Sequence, residues 1–353
     1  MKVSLFKYHL PKNRIAQTPA SPRDHARLFV LDKKAGRCAH KHIYDLPNLL
    51  RSGDILVLNN SKVIPARLYA RKVLEVGGGG RVELFLLKHA GGRIWHVLLK
   101  GQNLRPQTRL TLLPTKTIFC TILRREQDGA TLVEFSDSRA AVHAFYAAHG
   151  ETPLPPYIKA SGKSVRVKSH YQTIFAKTSG SVAAPTAGLH FTKNLLRAIA
   201  TKGVQIEYVT LHVGLGTFEP IRTAYIEDHA MHAEYAEIDR ETLKRLLRAK
   251  TERRRMVAVG TTSARILEGL VAPYLSTPYP KKDKISAELT TYIYPPYAFK
   301  MVDALLTNFH LPQSSLLVLV AAFTGRSAIL RAYQKAIRAG YRFYSFGDAM
   351  FIH

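Results

Sequence analysis

Between Arg67 and Phe135 the chain breaks into short β-rich runs: Arg81 to Leu87, Arg93 to Leu99, Thr117 to Leu123 and Ala130 to Phe135. Turn formers separate them, namely Gly77 to Gly80, Ala90-Gly91-Gly92 and Gln127-Asp128-Gly129, and runs this short at regular spacing favour a small barrel or sandwich. The flanks read differently. Before this stretch, Ile55-Leu-Val-Leu58 is continuously apolar and ends at Asn59-Asn60, as a strand covered on both faces does. After it, the proline-rich connection Glu151-Thr-Pro-Leu-Pro-Pro156 cannot be helical, and beyond it helix and strand patterns alternate. The sequence therefore predicts an α/β main domain, residues 1–65 and 150–353, interrupted by an inserted all-β barrel domain, residues 66–149.

Within the main domain, Asn194 to Lys202 is helical, Gly203 stops it, and Val204 to Val213 forms a strand. Asp239 is placed to cap a helix whose Leu243, Leu246 and Leu247 face inward, and Met256 to Val259 is the next strand. A last helix carries Ile329, Ala332, Tyr333, Ala336 and Ile337 on one stripe, ends at Gly340, and leads into a strand over Tyr341 to Phe346. The longest apolar run, Leu316 to Phe323, falls well short of the ~20 residues a bilayer helix needs. No secretory pattern opens the chain, so the expectation is a cytoplasmic protein with no membrane association. Cys38 and Cys120 stand far apart in no ligand spacing, which points to neither a disulfide framework nor zinc.

Lys and Arg number 52 against 25 Asp and Glu, a formal charge of +27, which implies a polyanionic partner unless a basic cellular habitat tilts the whole surface. The helix after Asp239 concentrates this charge in Lys244, Arg245, Arg248, Lys250, Arg253, Arg254 and Arg255. Such a stripe suits phosphate contacts, and it is also how an ordinary solvated helix face reads. A second basic stretch, Lys159, Lys163, Arg166 and Lys168 with His170, leads to Tyr171, the kind of loop that orders on RNA.

The densest polar clusters fall just after expected strands: Asn59-Asn60-Ser61, His212 through Thr217, Gly260-Thr261-Thr262-Ser263 and Thr307-Asn308-Phe309-His310. In open α/β sheets ligands bind outside the strand ends, so their convergence marks a candidate site. Taken singly each is weak, since Gly214-Leu-Gly216 also reads as a turn and Thr261 to Ser263 as a helix cap. His229 and His232 lie three apart beside Asp228 and Glu234, but a lone histidine pair is usually structural and no metal is expected. No P-loop is present, and the absence of a Gly-x-Gly-x-x-Gly fingerprint disfavours an ordinary Rossmann dinucleotide or methyltransferase site.

Longer blocks add to this. Tyr8-His-Leu-Pro11, Ile15-Ala-Gln17, Arg23-Asp24 with Arg27-Leu28, Val63-Ile-Pro-Ala-Arg67, Leu154-Pro-Pro-Tyr-Ile158, Tyr171-Gln-Thr173 and Ser181 to Phe191 resemble the S-adenosylmethionine:tRNA ribosyltransferase-isomerase family. So do Leu211 to Phe218, Met231-His232 with Glu234, Val259 to Ser263 with Arg265, Thr307 to Pro312 and Tyr341 to Met350, in the family's order over nearly the whole chain.

The resemblance implies an α/β domain interrupted by a β-barrel, and transfer of the ribosyl moiety of S-adenosylmethionine to 7-aminomethyl-7-deazaguanine at the tRNA wobble position. The product is epoxyqueuosine, and adenine and methionine leave. No cofactor is implied beyond S-adenosylmethionine as a consumed substrate; the partner is tRNA carrying the modified wobble base, and a monomer is expected. His190, His212, His232 and His310 are then the acid or base candidates, with Asp24, Glu234 or Asp348 balancing charge. Asn59, Asn60, Arg67, Thr186, Gly188, Gly214, Gly216, Thr217, Thr261, Thr262, Arg265, Asn308 and Asp348 are the candidates for holding substrate. Lys163, Arg166, Lys244, Arg248 and Arg254 are the tRNA candidates, with Tyr171 and Tyr157 placed to stack on a splayed base. Pro296, Glu219 and His170 depart from the family pattern and put local substrate contacts in doubt. The rival reading from another class is a non-catalytic tRNA- or rRNA-binding factor.

Overall fold

The computed structural model describes residues 1–74, 79–126, 129–159, 169–214 and 220–353. It divides into two compact units, one built from Met1–Lys62, Pro155–Lys159 and Ser169–His353, the other from Val63–Leu154. The strands run in chain order. They are β1 (Arg27–Leu31), β2 (Cys38–His42), β3 (Ile55–Asn59), β4 (Ser61–Val63), β5 (Arg67–Lys72), β6 (Arg81–Gly91), β7 (Ile94–Lys100), β8 (Arg109–Leu112) and β9 (Phe119–Arg125). Then follow β10 (Thr131–Phe135), β11 (Thr178–Ser181), β12 (Gln205–Leu211), β13 (Glu234–Asp239), β14 (Met256–Val259), β15 (Lys284–Leu289), β16 (Ala304–Asn308) and β17 (Ala349–Ile352).

The main unit holds a nine-stranded sheet in the order β15-β13-β12-β3-β14-β16-β17-β1-β2. Its centre, β12-β3-β14-β16, is parallel, and antiparallel strands extend it on both sides. The unbroken apolar run in β3 follows from covering on both faces. Ile55 and Val57 enter one buried cluster while Leu56 and Leu58 enter another, and Met256 and Ala258 separate from Val257 and Val259 in the same way. A period of two thus feeds two apolar layers with the sheet between them.

The helix Lys193–Thr201 begins where Thr192 accepts a bond from Leu195 N, and Gly203 ends it at φ 81, in the left-handed region. The helix Arg240–Thr251 buries Thr242, Leu243, Leu246 and Ala249. Asp239 occupies its N-cap position, but its side chain makes no capping bond, contrary to expectation. Ser315–Thr324 is the apolar helix the sequence marked as core, and Arg326–Arg338 buries the expected Ile329, Ala332, Tyr333 and Ala336. Among the described residues no single helix is long and apolar enough to cross a membrane.

The strand expected over Tyr341 to Phe346 is not there. Tyr344 sits at φ 71, Gly347 N bonds back to the Tyr344 carbonyl, and Asp348 accepts from Arg342 N at 2.8 Å, so the segment closes a turn. The strand that follows is β17. A Cβ on Gly347 would lie 2.5 Å from the Phe343 carbonyl carbon, so this turn is too tight for a side chain there.

The other unit is a closed six-stranded antiparallel barrel, β10-β7-β6-β5-β8-β9. Alternate residues fill its interior, including Leu68 and Ala70, Val82, Leu84 and Leu86, Trp95 and Val97, and Cys120 and Ile122. A helix, Arg139–His149, capped by Ser138 through Ala141 N, buries Val142, Phe145 and Tyr146.

Candidate active site

Two parallel strands of the main sheet end side by side and release polar residues at the same edge. β14 gives way to Gly260, Thr261 and Thr262, and β16 ends at Asn308, followed by Phe309 and His310. A cavity at this edge is lined by those residues together with Thr186, Thr307, Ser314, Val213, Tyr157, Tyr344 and Ser345. This is the crevice outside the carboxyl ends of a parallel sheet where α/β proteins bind ligands. Gly260 stands at φ 86, which allows the chain to turn from β14 directly into the helix Gly260–Ile266. Thr261, Thr262 and Ser263 lie within that helix rather than capping it.

His310 is buried, and its Nε2 lies 2.8 Å from Thr307 Oγ1. Its backbone is clamped, because its N–H donates to Tyr333 Oη at 2.9 Å and its carbonyl accepts from Tyr8 Oη. Burial pushes the imidazole pKa down to about 3, so the ring is neutral at physiological pH. His190 is equally buried, with Nε2 3.2 Å from Asn308 Nδ2. Burial, only partly opposed by the Asp348 carboxylate, pushes it down to about 4. Asn308 Nδ2 also donates to the Tyr344 carbonyl at 3.1 Å.

Other expected residues have different placements. His212 stacks on Tyr235 with ring centroids 5.7 Å apart and packs over Gly180, and burial lowers its pKa. His232 is exposed and outside the cavity lining. Asp24 accepts from Thr192 Oγ1 at 2.6 Å, tying a 3-10 turn to the start of a helix. Glu234 and Arg265, expected as a charge balancer and a substrate ligand, pair with one another at 5% exposure each. Glu234 also accepts from Gly214 N at 2.9 Å, and Arg265 donates to the Thr291 and Leu289 carbonyls, which ties down the segment that leads to Pro296.

The Asn59 amide donates to the Leu211 carbonyl and accepts from Leu211 N and Ser61 N, and Asn60 accepts from Thr210, so both clasp neighbouring strands, and neither lines the cavity. Asp348 accepts from Arg27 N and from Arg342. Gly188 is a close-packing position, since a Cβ there would meet Phe175 at 2.9 Å. Arg67 belongs to the barrel unit, where it pairs with Glu83 at 3.0 Å. Gly216, Thr217, Glu219, Lys163 and Arg166 lie outside the described residues.

Tyr171 is not a stacking platform in this structure. It is wholly buried, edge-on to Phe346, because the apolar interior around it leaves its ring no open face. The basic helix is also less bare than its sequence implies. Lys244 pairs with Glu241, Arg245 with Glu207, Arg248 with Glu252, Lys250 with Asp303 and Arg255 with Asp54, while Arg254 donates to the Gly53 carbonyl. Sequence reasoning missed Tyr344 and Ser345 as cavity residues. The block Tyr341 to Met350 was the available signal, and reading it as a strand concealed the turn that brings them to the site.

A parallel sheet centre with a partly aromatic cavity at its strand ends, lined by no Asp, Glu, Lys or Arg among the described residues, and buried neutral imidazoles beside it define an α/β small-molecule-binding protein with an added barrel. The profile of the family described as queuosine biosynthesis protein matches residues 3–352. The chain is 45% identical over 355 residues to the S-adenosylmethionine:tRNA ribosyltransferase-isomerase of Thermotoga petrophila, covering 100% of both chains. It is also 45% identical over 353 residues to the protein of that name from a Sulfurihydrogenibium species, again at 100% of both. The crystal structure of S-adenosylmethionine tRNA ribosyltransferase from Thermotoga maritima superposes with a TM-score of 0.55 at 35% identity, over 99% of this chain and 100% of that one. The chain belongs to the queuosine biosynthesis protein family.

Proposed function

We infer that this chain is an S-adenosylmethionine:tRNA ribosyltransferase-isomerase acting in queuosine biosynthesis. It transfers and isomerises the ribosyl moiety of S-adenosylmethionine onto 7-aminomethyl-7-deazaguanine at the tRNA wobble position. The full-length agreement with relatives of that name carries the conclusion, and the cavity at the strand ends supplies a place for the chemistry.

The sulfonium acidifies the adjoining ribose carbon, so a base can take its proton, the ribose ring can open and adenine can depart. Attack by the tRNA aminomethyl nitrogen and closure to the epoxide then expel methionine. His310 best suits the proton-transfer role. Of the four candidate histidines it alone lines the cavity, it is neutral, and Thr307 fixes its Nε2. Thr186, Thr261 and Thr262 offer hydroxyls to substrate from the cavity wall. Removing the imidazole of an acid or base should cost roughly 100-fold or more in turnover. We place Lys244 and Arg248 on the tRNA face, their carboxylate partners exchanging for phosphate. The reaction draws on no cofactor besides its consumed substrate, and the protein works as a cytoplasmic monomer.

The test is to treat tRNA bearing the aminomethyl base with protein and S-adenosylmethionine, digest it, and look for the epoxyqueuosine nucleoside by mass spectrometry. A His310→Ala protein should form it roughly 100-fold more slowly. Tight tRNA binding with an unaltered nucleoside would instead favour a non-catalytic RNA-binding factor.

A further inference from the structure

Asn308 Nδ2 lies 3.1 Å from the Tyr344 carbonyl, which can only accept, and 3.2 Å from His190 Nε2. Turning the amide over would set two oxygens face to face, so the orientation follows from the contacts and both N–H groups are used. The consequence falls on the other end of the amide. Asn308 Oδ1 is buried with no hydrogen-bond partner among the described residues, although the residue lines the cavity. An acceptor kept bare in this way is unfavourable unless something donates to it. Thr262 Oγ1, on another wall of the cavity, is also buried and without a partner among the described residues.

The walls also select by charge. Among the described residues no Asp, Glu, Lys or Arg lines this cavity, so these walls offer no counter-charge to the ammonium and carboxylate of a methionyl group. Tyr157 and Tyr344, rings 4.7 Å apart, and Phe309 offer π surface, which suits a purine. His190 meanwhile has its Nε2 lone pair engaged by Asn308, which takes that nitrogen out of proton transfer.

Resting on the transferase reading above, we propose that the cavity takes the neutral adenosyl half of the substrate. Asn308 Oδ1 accepts a hydrogen bond from a ribose hydroxyl or the adenine amino group, and His190 is a positioning residue that locks the Asn308 amide. The two donor sources share one chemistry and are separable by analogue.

The probe is 5′-methylthioadenosine, which keeps the nucleoside and sulfur but lacks the methionyl chain, titrated calorimetrically beside its 2′-deoxy, 3′-deoxy and 6-desamino analogues. Wild-type protein should bind the parent and one analogue roughly 10–100-fold more weakly, the missing group identifying the donor. Asn308→Leu, with Asn308→Ser as a second variant should the first fail to fold, should bind parent and analogue equally. His190→Gln, whose Oε1 can still accept from Asn308, should keep the discrimination and turn over within about 10-fold of wild type. A true acid or base would lose roughly 100-fold. Binding of S-adenosylmethionine without binding of 5′-methylthioadenosine would overturn the inference. So would equal binding of all analogues by wild type, unaltered discrimination in the Asn308 variants, or a 100-fold loss in His190→Gln. If the wild type also released no adenine with its tRNA, the transferase reading would fail with it.

Discussion

Replacing Glu234 by Gln should destabilise the main unit strongly. Glu234 and Arg265 are each 5% exposed, and among the described residues the guanidinium's further partners are the Thr291 and Leu289 carbonyls, at 3.1 and 3.2 Å. Gln keeps the shape and the acceptor for Gly214 N but removes the charge, which leaves a buried cation uncompensated. Breaking a buried pair from one side costs about 3–5 kcal/mol, and among the described residues the removed carboxylate is the one acid paired with this cation. For a unit of this size that is a fall in Tm of roughly 6–20 °C, from about 2–4 °C per kcal/mol. Thermal unfolding followed by near-UV circular dichroism measures it. The double variant E234Q/R265M removes both charges and should recover most of the loss, because the penalty belongs to the unpaired ion. A single variant within about 1 kcal/mol of wild type, or a double variant as unstable as the single, would refute the reasoning.

Acid should destabilise the fold through its buried histidines. His310 and His190 titrate at about 3 and about 4 in the folded chain against an ordinary value of 6.5. The unfolded chain therefore binds more protons as pH falls below 6.5, and stability, complete above that pH, declines toward pH 4 by up to about 1.4 kcal/mol per unit for each ring. Urea midpoints at pH 7.5, 6 and 5 measure this, and a flat profile would contradict it. Gly180→Ala should cost about 1–3 kcal/mol and displace His212, since Gly180 sits at φ 147 and a Cβ would lie 2.7 Å from His212 Nε2; a thermal melt unchanged from wild type would oppose that. Neutralising both Lys244 and Arg248 should lower the slope of log Kd for tRNA against log salt by about two, and an unchanged slope would remove that helix from the interface.

The architecture was largely legible because its signals are local. The two-face burial of β3 is written in Ile55 to Leu58, and the barrel in short runs between turns. The turn at Tyr344 was not, since its positive φ falls on a residue type that ordinarily favours strands. Within the site, the clusters after β14 and β16 were visible as sequence, and they do line one cavity. The partnerships that assign roles were hidden. Asn308 meets His190 across 118 positions and Asn59 clasps Leu211 across 152. Nothing in spacing tells a carboxylate such as Glu234, matched to a buried arginine, from one that faces substrate.

The most direct test is to incubate the protein with S-adenosylmethionine and tRNA bearing 7-aminomethyl-7-deazaguanine, and to quantify adenine and methionine by chromatography. Both should be released in equal amounts and only when that tRNA is present. Release of neither while the tRNA remains bound, or release that continues without tRNA, would contradict it.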